Sequence, residues 1–141
     1  MECSLERELE ESAPLQRADV DAVSIQRPIG TTVWPTASGR RVRHVIYSLI
    51  GCPPVRAATY ILVRHTLDGD REVLAIRATR SPFPSVNLAR IRRSGARWGA
   101  TEVHLFRGSR SDEERRDLVS DLCRALGARA PYRTALRKTA S

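Results

Sequence analysis

The chain has 141 residues and a formal net charge of +8, a size that fits one domain with tails. Its N-terminus is acidic and no apolar run nears the roughly 20 residues a bilayer span needs, so neither a secretory leader nor a membrane span is expected. Three cysteines, Cys3, Cys52 and Cys123, share no short spacing; this argues against a disulfide scaffold or zinc site and for reduced thiols in a cytoplasmic protein.

Residues 1–40 read as an acidic, mostly irregular N-terminal arm. A short helix is expected at residues 5–11, and Pro14, Pro28, Gly30, Pro35 and Gly39 then interrupt any regular element. Trp34 and Ile29 are candidates to pin the arm to the body. Residues 1–24 hold seven acids and two arginines, a charge of −5, which leaves +13 for the remainder. A basic body with an acidic arm points to a polyanionic partner, nucleic acid first. The basic residues are 23 arginines and one lysine, Lys138. That bias suits a GC-rich genome and a bacterial or phage-like setting as well as selection for phosphate contacts.

The α+β domain is expected over residues 41–127. Residues 41–50, with Val42, Val45, Ile46, Tyr47, Leu49 and Ile50, form a strand or a short helix, ended by Pro53 and Pro54. Residues 59–64 are apolar and β-rich, as a buried strand should be. Asp68-Gly69 signals a tight hairpin. Residues 72–79 return as the partner strand, with Val73, Ala75 and Arg77 on one face and Leu74, Ile76 and Ala78 on the other. Pro82 and Pro84 make residues 81–84 a rigid loop, and Ser85 is placed to cap a helix reaching Trp98, closed by Gly99. Residues 101–107 alternate as a third strand. Ser111 and Glu114 form a capping box opening the last helix, whose apolar stripe is Leu118, Leu122 and Leu126. Gly127 ends it, and a basic tail follows at 128–141. The expected core is a small antiparallel sheet of three strands in β-β-α-β-α order, flanked by helices lying on one side of it.

This order is similar to that of the GIY-YIG nuclease superfamily, over roughly residues 58–134. Tyr60, in Ala58-Thr59-Tyr60, stands where that family has the tyrosine of its first motif. Ala75-Ile76-Arg77 stands where the second motif has tyrosine, isoleucine and glycine. Arg90 matches the helix arginine, with Arg92 and Arg93 beside it. For the family's metal carboxylate the last helix offers Asp117, with Glu114 and Asp121 on the same face. The family's late asparagine has no counterpart; the chain there reads Pro131-Tyr132-Arg133-Thr134.

The resemblance implies a metal-dependent endonuclease in which a phenol positions water, a cation sits over the phosphate and Mg or Mn stabilises developing charge. The departures weigh against it. Ala75 has no hydroxyl, and Arg77 fills space that a glycine leaves open for substrate. The expected function is therefore nucleic-acid or phosphate-backbone binding without catalysis and without a cofactor. Tyr60 and Arg90 are the catalytic pair if activity survives. The phosphate contacts are Arg64, Arg77, Arg80, Arg90, Arg92, Arg93 and Arg97. A protein-interaction or regulatory module is the third reading. The plain alternatives are a core role for Tyr60, a solvated face for the helix arginines, and an ion-paired stripe for the acids. His44, His65 and His104 show no ligand spacing and read as structural. With seven aromatic residues in all, a stacking platform for single strands is poorly supported.

Overall fold

The structure, a computed structural model, describes residues 27–127. The helix expected at 5–11, Cys3, most of the acidic arm and the basic tail lie outside the described residues. Strands β1 (Gly30–Pro35), β2 (Arg41–Ser48), β3 (Thr59–His65) and β4 (Arg71–Ala78) are followed by helix α1 (Pro84–Trp98), strand β5 (Glu102–Phe106) and helix α2 (Asp112–Leu126). The strands form one antiparallel sheet in the order β1-β2-β5-β3-β4. The fold is α+β, as the sequence indicates, but the sheet has five strands rather than three.

The two extra strands come from the N-terminal side. Residues 41–50, left open between strand and short helix, begin with β2, and β1 draws part of the expected irregular arm into the sheet. Pro35 and Gly30 hide β1 from a propensity reading, yet both are tolerated at the ends of an edge strand. Trp34 gives the strand its anchor: it is 4 % exposed and packs beneath α2.

Side chains alternate across the sheet and build two cores. Tyr60 and Leu62 of β3 join Val103, Leu105 and Ile91 of α1, whereas Ile61 and Val63 join Trp34, Val42 and the α2 stripe of Leu118, Leu122 and Leu126. Helices therefore cover opposite faces, not one. A strand in the middle of a sheet covered on both faces is apolar along its length, which is why β3 reads as a continuous apolar run rather than an alternation. Each of the three α2 leucines is buried, stabilising the docked helix by roughly 2 kcal/mol apiece. Beside α1, a Cβ at Gly95 would meet Leu49, so the glycine permits the helix to lie close to the residue that follows β2.

A bulge shifts the β3–β4 register between Leu62 and Val63, pairing Leu62 with Ala75 and Val63 with Val73. Strict alternation over residues 72–79 consequently fails. Leu74 and Ala75 both enter the α1-side core, and Val73 and Ile76 the other. The helix starts also differ from expectation. Phe83, not Ser85, is the N-cap of α1, without a side-chain cap and with Pro84 at the first turn. At α2 the Ser111 hydroxyl accepts from the Glu114 amide at 3.1 Å, but the Glu114 carboxylate accepts from the Arg110 amide at 2.8 Å, one residue outside the usual box. No helix among the described residues is long and apolar enough to cross a membrane.

Candidate functional site

A cleft of about 870 Å³ lies where the end of edge strand β4 leaves the sheet between the two helices. The β4 end and the loop after it supply Arg77 and Arg80; α1 supplies Asn87, Arg90 and Arg93; α2 supplies Asp112, Arg115 and Arg116. Tyr60 forms part of the wall, directly opposite Arg77 in the β3–β4 register. Among the described residues, six arginines line the cleft against one acid. That acid is itself engaged: Arg115 donates to Asp112 at 2.6 Å, and this bond with the guanidinium charge holds the carboxyl below its ordinary range.

Local structure fixes these positions. Asn87 is 1 % exposed and ties three segments together. Its amide donates to the carbonyls of Val55 at 2.8 Å, Arg56 at 3.2 Å and Ser81 at 2.8 Å, while its oxygen accepts from the Ser81 amide at 3.1 Å. The loop carrying Arg80 is thereby stapled to α1 and to the segment before β3. Thr79 adds a second clamp, accepting from the Ala58 amide through its hydroxyl at 3.1 Å and donating its own amide to the Ala58 carbonyl at 2.9 Å.

Tyr60 serves core and cleft at once. It is 5 % exposed, with its ring in the α1-side cluster. Burial raises its phenol pKa, and the nearby Arg77, Arg90 and Arg80 only partly offset that rise. The hydroxyl therefore stays protonated at neutral pH and acts as a polar neutral group among cations. Cys52 is fully buried, and burial pushes its thiol up to about 11, so it is no nucleophile.

The remaining residues singled out in the sequence fall elsewhere. Arg64 makes a two-point contact with Glu72 at 2.9 and 2.7 Å. Arg92 donates to the Ile50 carbonyl at 2.8 Å, and Arg97 lies 5.8 Å over the Trp98 ring. Glu114, Asp117 and Asp121 line a separate groove of about 340 Å³ with Arg40 and Arg110. Asp121 is committed to the β1–β2 hairpin, accepting from the Ser38 amide at 2.9 Å and hydroxyl at 2.6 Å. None of the three lines the cleft that holds Tyr60 and Arg90. Among the described residues no group of three or more His, Cys, Asp or Glu is arranged to hold a metal ion. The one carboxylate that the described residues give the cleft is neutralised by Arg115 and surrounded by cations, so this donor set does not fit a divalent metal.

Sequence reasoning did not foresee Arg115 and Arg116 as cleft residues. No local signal connects them to α1, because the meeting of the two helices at the sheet edge is a tertiary event. Set against known proteins, the chain matches no family model, no curated protein and no solved structure.

Proposed function

We propose that this protein binds nucleic acid through the phosphate backbone, on a GIY-YIG-like scaffold that lacks the nuclease chemistry. One observation carries the reading: six arginines from β4 and its loop, α1 and α2 face a single cleft whose one acid is already paired. Arg115 is compensated by Asp112, but Arg77, Arg80, Arg90 and Arg116 remain close together, and a polyanion offsets their mutual repulsion. Guanidinium forks also match phosphate oxygens two at a time. Arginines suit phosphate oxygens, contacts that set affinity and register rather than sequence choice.

The test is binding of a labelled oligonucleotide by fluorescence anisotropy across a salt series. The expected result is a steep loss of affinity, with the salt slope shrinking by about one unit for each of Arg77→Ala, Arg90→Ala and Arg116→Ala. Salt-independent binding, or variants that keep the full slope, would overturn the reading.

A second reading is a metal-dependent endonuclease. It is favoured by one fact, that Tyr60 and Arg90 line the same cleft. Plasmid incubated with Mg²⁺ or Mn²⁺ decides between them. Cleavage lost in both Tyr60→Phe and Arg90→Ala supports the enzyme; intact plasmid under conditions where the protein binds it supports the binding reading.

A further inference from the structure

We propose that the arginine cleft takes an unpaired strand, with a base stacked on the ring of Phe83 at the cleft's rim. This rests on the nucleic-acid reading above and narrows it to single-stranded or locally opened substrate.

Phe83 is the sole exposed aromatic residue among the described residues, at 64 % exposure. Trp34, Tyr47 and Tyr60 are buried, and Trp98 and Phe106 are partly so. An exposed phenylalanine pays a hydration cost that a flat apolar partner would remove.

Its neighbours in the chain belong to the cleft. The α1 residues lining the cleft are Asn87, Arg90, Arg93 and Ser94. Phe83 is the N-cap of α1 and has an extended backbone; it sits in the chain between Arg80 and Asn87, both of which line the cleft. Along the helix axis the ring's backbone lies about 10 Å from that of Arg90. Arg80, on the other arm of the same loop, also lines the cleft. Cations thus stand on both chain sides of the ring.

The ring is also held in place before any ligand arrives. Pro82 and Pro84 fix the backbone on either side of it. The Phe83 amide donates to the Ser81 hydroxyl at 3.0 Å, and its carbonyl accepts from the Val86 amide at 3.1 Å and the Asn87 amide at 3.2 Å. Asn87 anchors the loop from beneath. Stacking on a preorganised ring loses little conformational entropy. Val86, 39 % exposed one turn on, widens the apolar surface.

Bases in a duplex stack on one another and present only their edges, so a protein ring reaches a base face in an unpaired strand or at an opened step. An arginine groove beside an aromatic plane is the pairing that unpaired strands use: cations track the phosphates and the ring accepts a base of any identity.

The experiment compares the full chain with Phe83→Ala, Phe83→Tyr and the double variant Arg90→Ala/Arg93→Ala. Probes are labelled single strands of DNA and RNA, the same DNA as a duplex, and a strand of stable abasic residues. Expected results are tighter binding of single strand than duplex by the unaltered protein, and a roughly tenfold loss for Phe83→Ala on the intact single strand. Phe83→Tyr should retain affinity, and Phe83→Ala should leave duplex and abasic binding unchanged. Equal loss with DNA and RNA assigns the ring to bases in general, and loss confined to one identifies the strand it serves. The proposal is overturned if Phe83→Ala binds the intact single strand as tightly as the unaltered protein, or if abasic and intact strands bind equally. The cleft reading fails separately, if the double arginine variant loses nothing on any probe.

Discussion

His104 is a residue whose protonation state is dictated by its neighbours. The Trp34 indole N–H donates to His104 Nδ1 at 2.9 Å, so that nitrogen is the acceptor and carries no proton. The proton is then on Nε2, which donates to the Glu102 carboxylate at 2.9 Å. A second proton would drive Nδ1–H against the indole N–H, in a residue with no exposed surface. Burial accordingly lowers the His104 pKa, despite the carboxylate beside it. His44 is equally buried, its Nδ1 bonded at 3.0 Å to the Val42 carbonyl and its Nε2 without a hydrogen-bond partner. Asn87 shows the opposite economy, with every side-chain bond used. Asn87→Ala leaves the carbonyls of three residues, that of Val55 in a buried bond, without this donor and is expected to cost about 2–4 kcal/mol. Thermal denaturation should then show a fall in Tm of roughly 10 °C or more. An unchanged Tm would remove Asn87 from its role as the loop's anchor. None of this was visible in the sequence, where a lone asparagine on a helix and two unspaced histidines carry no signal.

At the scale of elements, the two hairpins explain both a success and a miss. In the β3–β4 hairpin the Thr66 amide donates to the Asp70 carbonyl at 2.8 Å and Gly69 takes a positive φ of 91°. In the β1–β2 hairpin the Thr36 amide donates to the Arg40 carbonyl at 2.9 Å and Gly39 takes a φ of 96°. Both threonine hydroxyls donate back across the turn, at 3.3 and 3.0 Å. The shared pattern is Thr-x-x-Gly-x, in Thr66-Leu67-Asp68-Gly69-Asp70 and Thr36-Ala37-Ser38-Gly39-Arg40. The Asp-Gly pair makes the first legible; the Ser-Gly pair in the second carries the same signal but is masked by the prolines around it. The caps were legible in the same partial way. Ser111 is the N-cap of α2, and Ser111→Ala is expected to destabilise the protein by about 1 kcal/mol, with Ser111→Asp retaining most of that. Urea denaturation measures both; equal losses for alanine and aspartate would refute a capping role.

For the whole molecule, the buried imidazoles set the response to acid. Burial holds His44 at about 4, against 6.5 for a free imidazole, and lowers His104 as well. Between pH 6.5 and about 4 the unfolded chain binds protons that the folded chain refuses, so stability falls as pH falls through that window. His44 alone accounts for about 3 kcal/mol of the fall. Glu102 extends the loss further down. Burial by itself would raise its pKa, but the hydrogen bonds from His104 and Arg71 and the Arg71 charge prevail and hold it at about 2. Its contribution is present above 4.5 and is lost as pH falls toward 2. Denaturant midpoints at about pH 7 and about pH 5 should therefore differ clearly, and His44→Phe should narrow the difference. A midpoint independent of pH over this range would contradict neutral buried imidazoles.

The elements from Thr59 onward are legible in the sequence, because their signals are local. A turn glycine, a capping serine and a leucine stripe each act within one turn or one hairpin. The sequence by itself also determined the charge, and with it the class of partner worth testing. Only the tertiary structure decided which of the 23 arginines face one another. Arg77 and Arg90 meet at the sheet edge, Arg64 and Arg92 are spent on neighbours, and Arg115 and Arg116 arrive from a helix on the opposite face. It decided as well that the candidate metal acids lie in a different groove from Tyr60. The reason is physical. Charge convergence depends on which faces of the sheet the helices cover and on one bulge in β4, and both follow from long-range packing that no local pattern encodes.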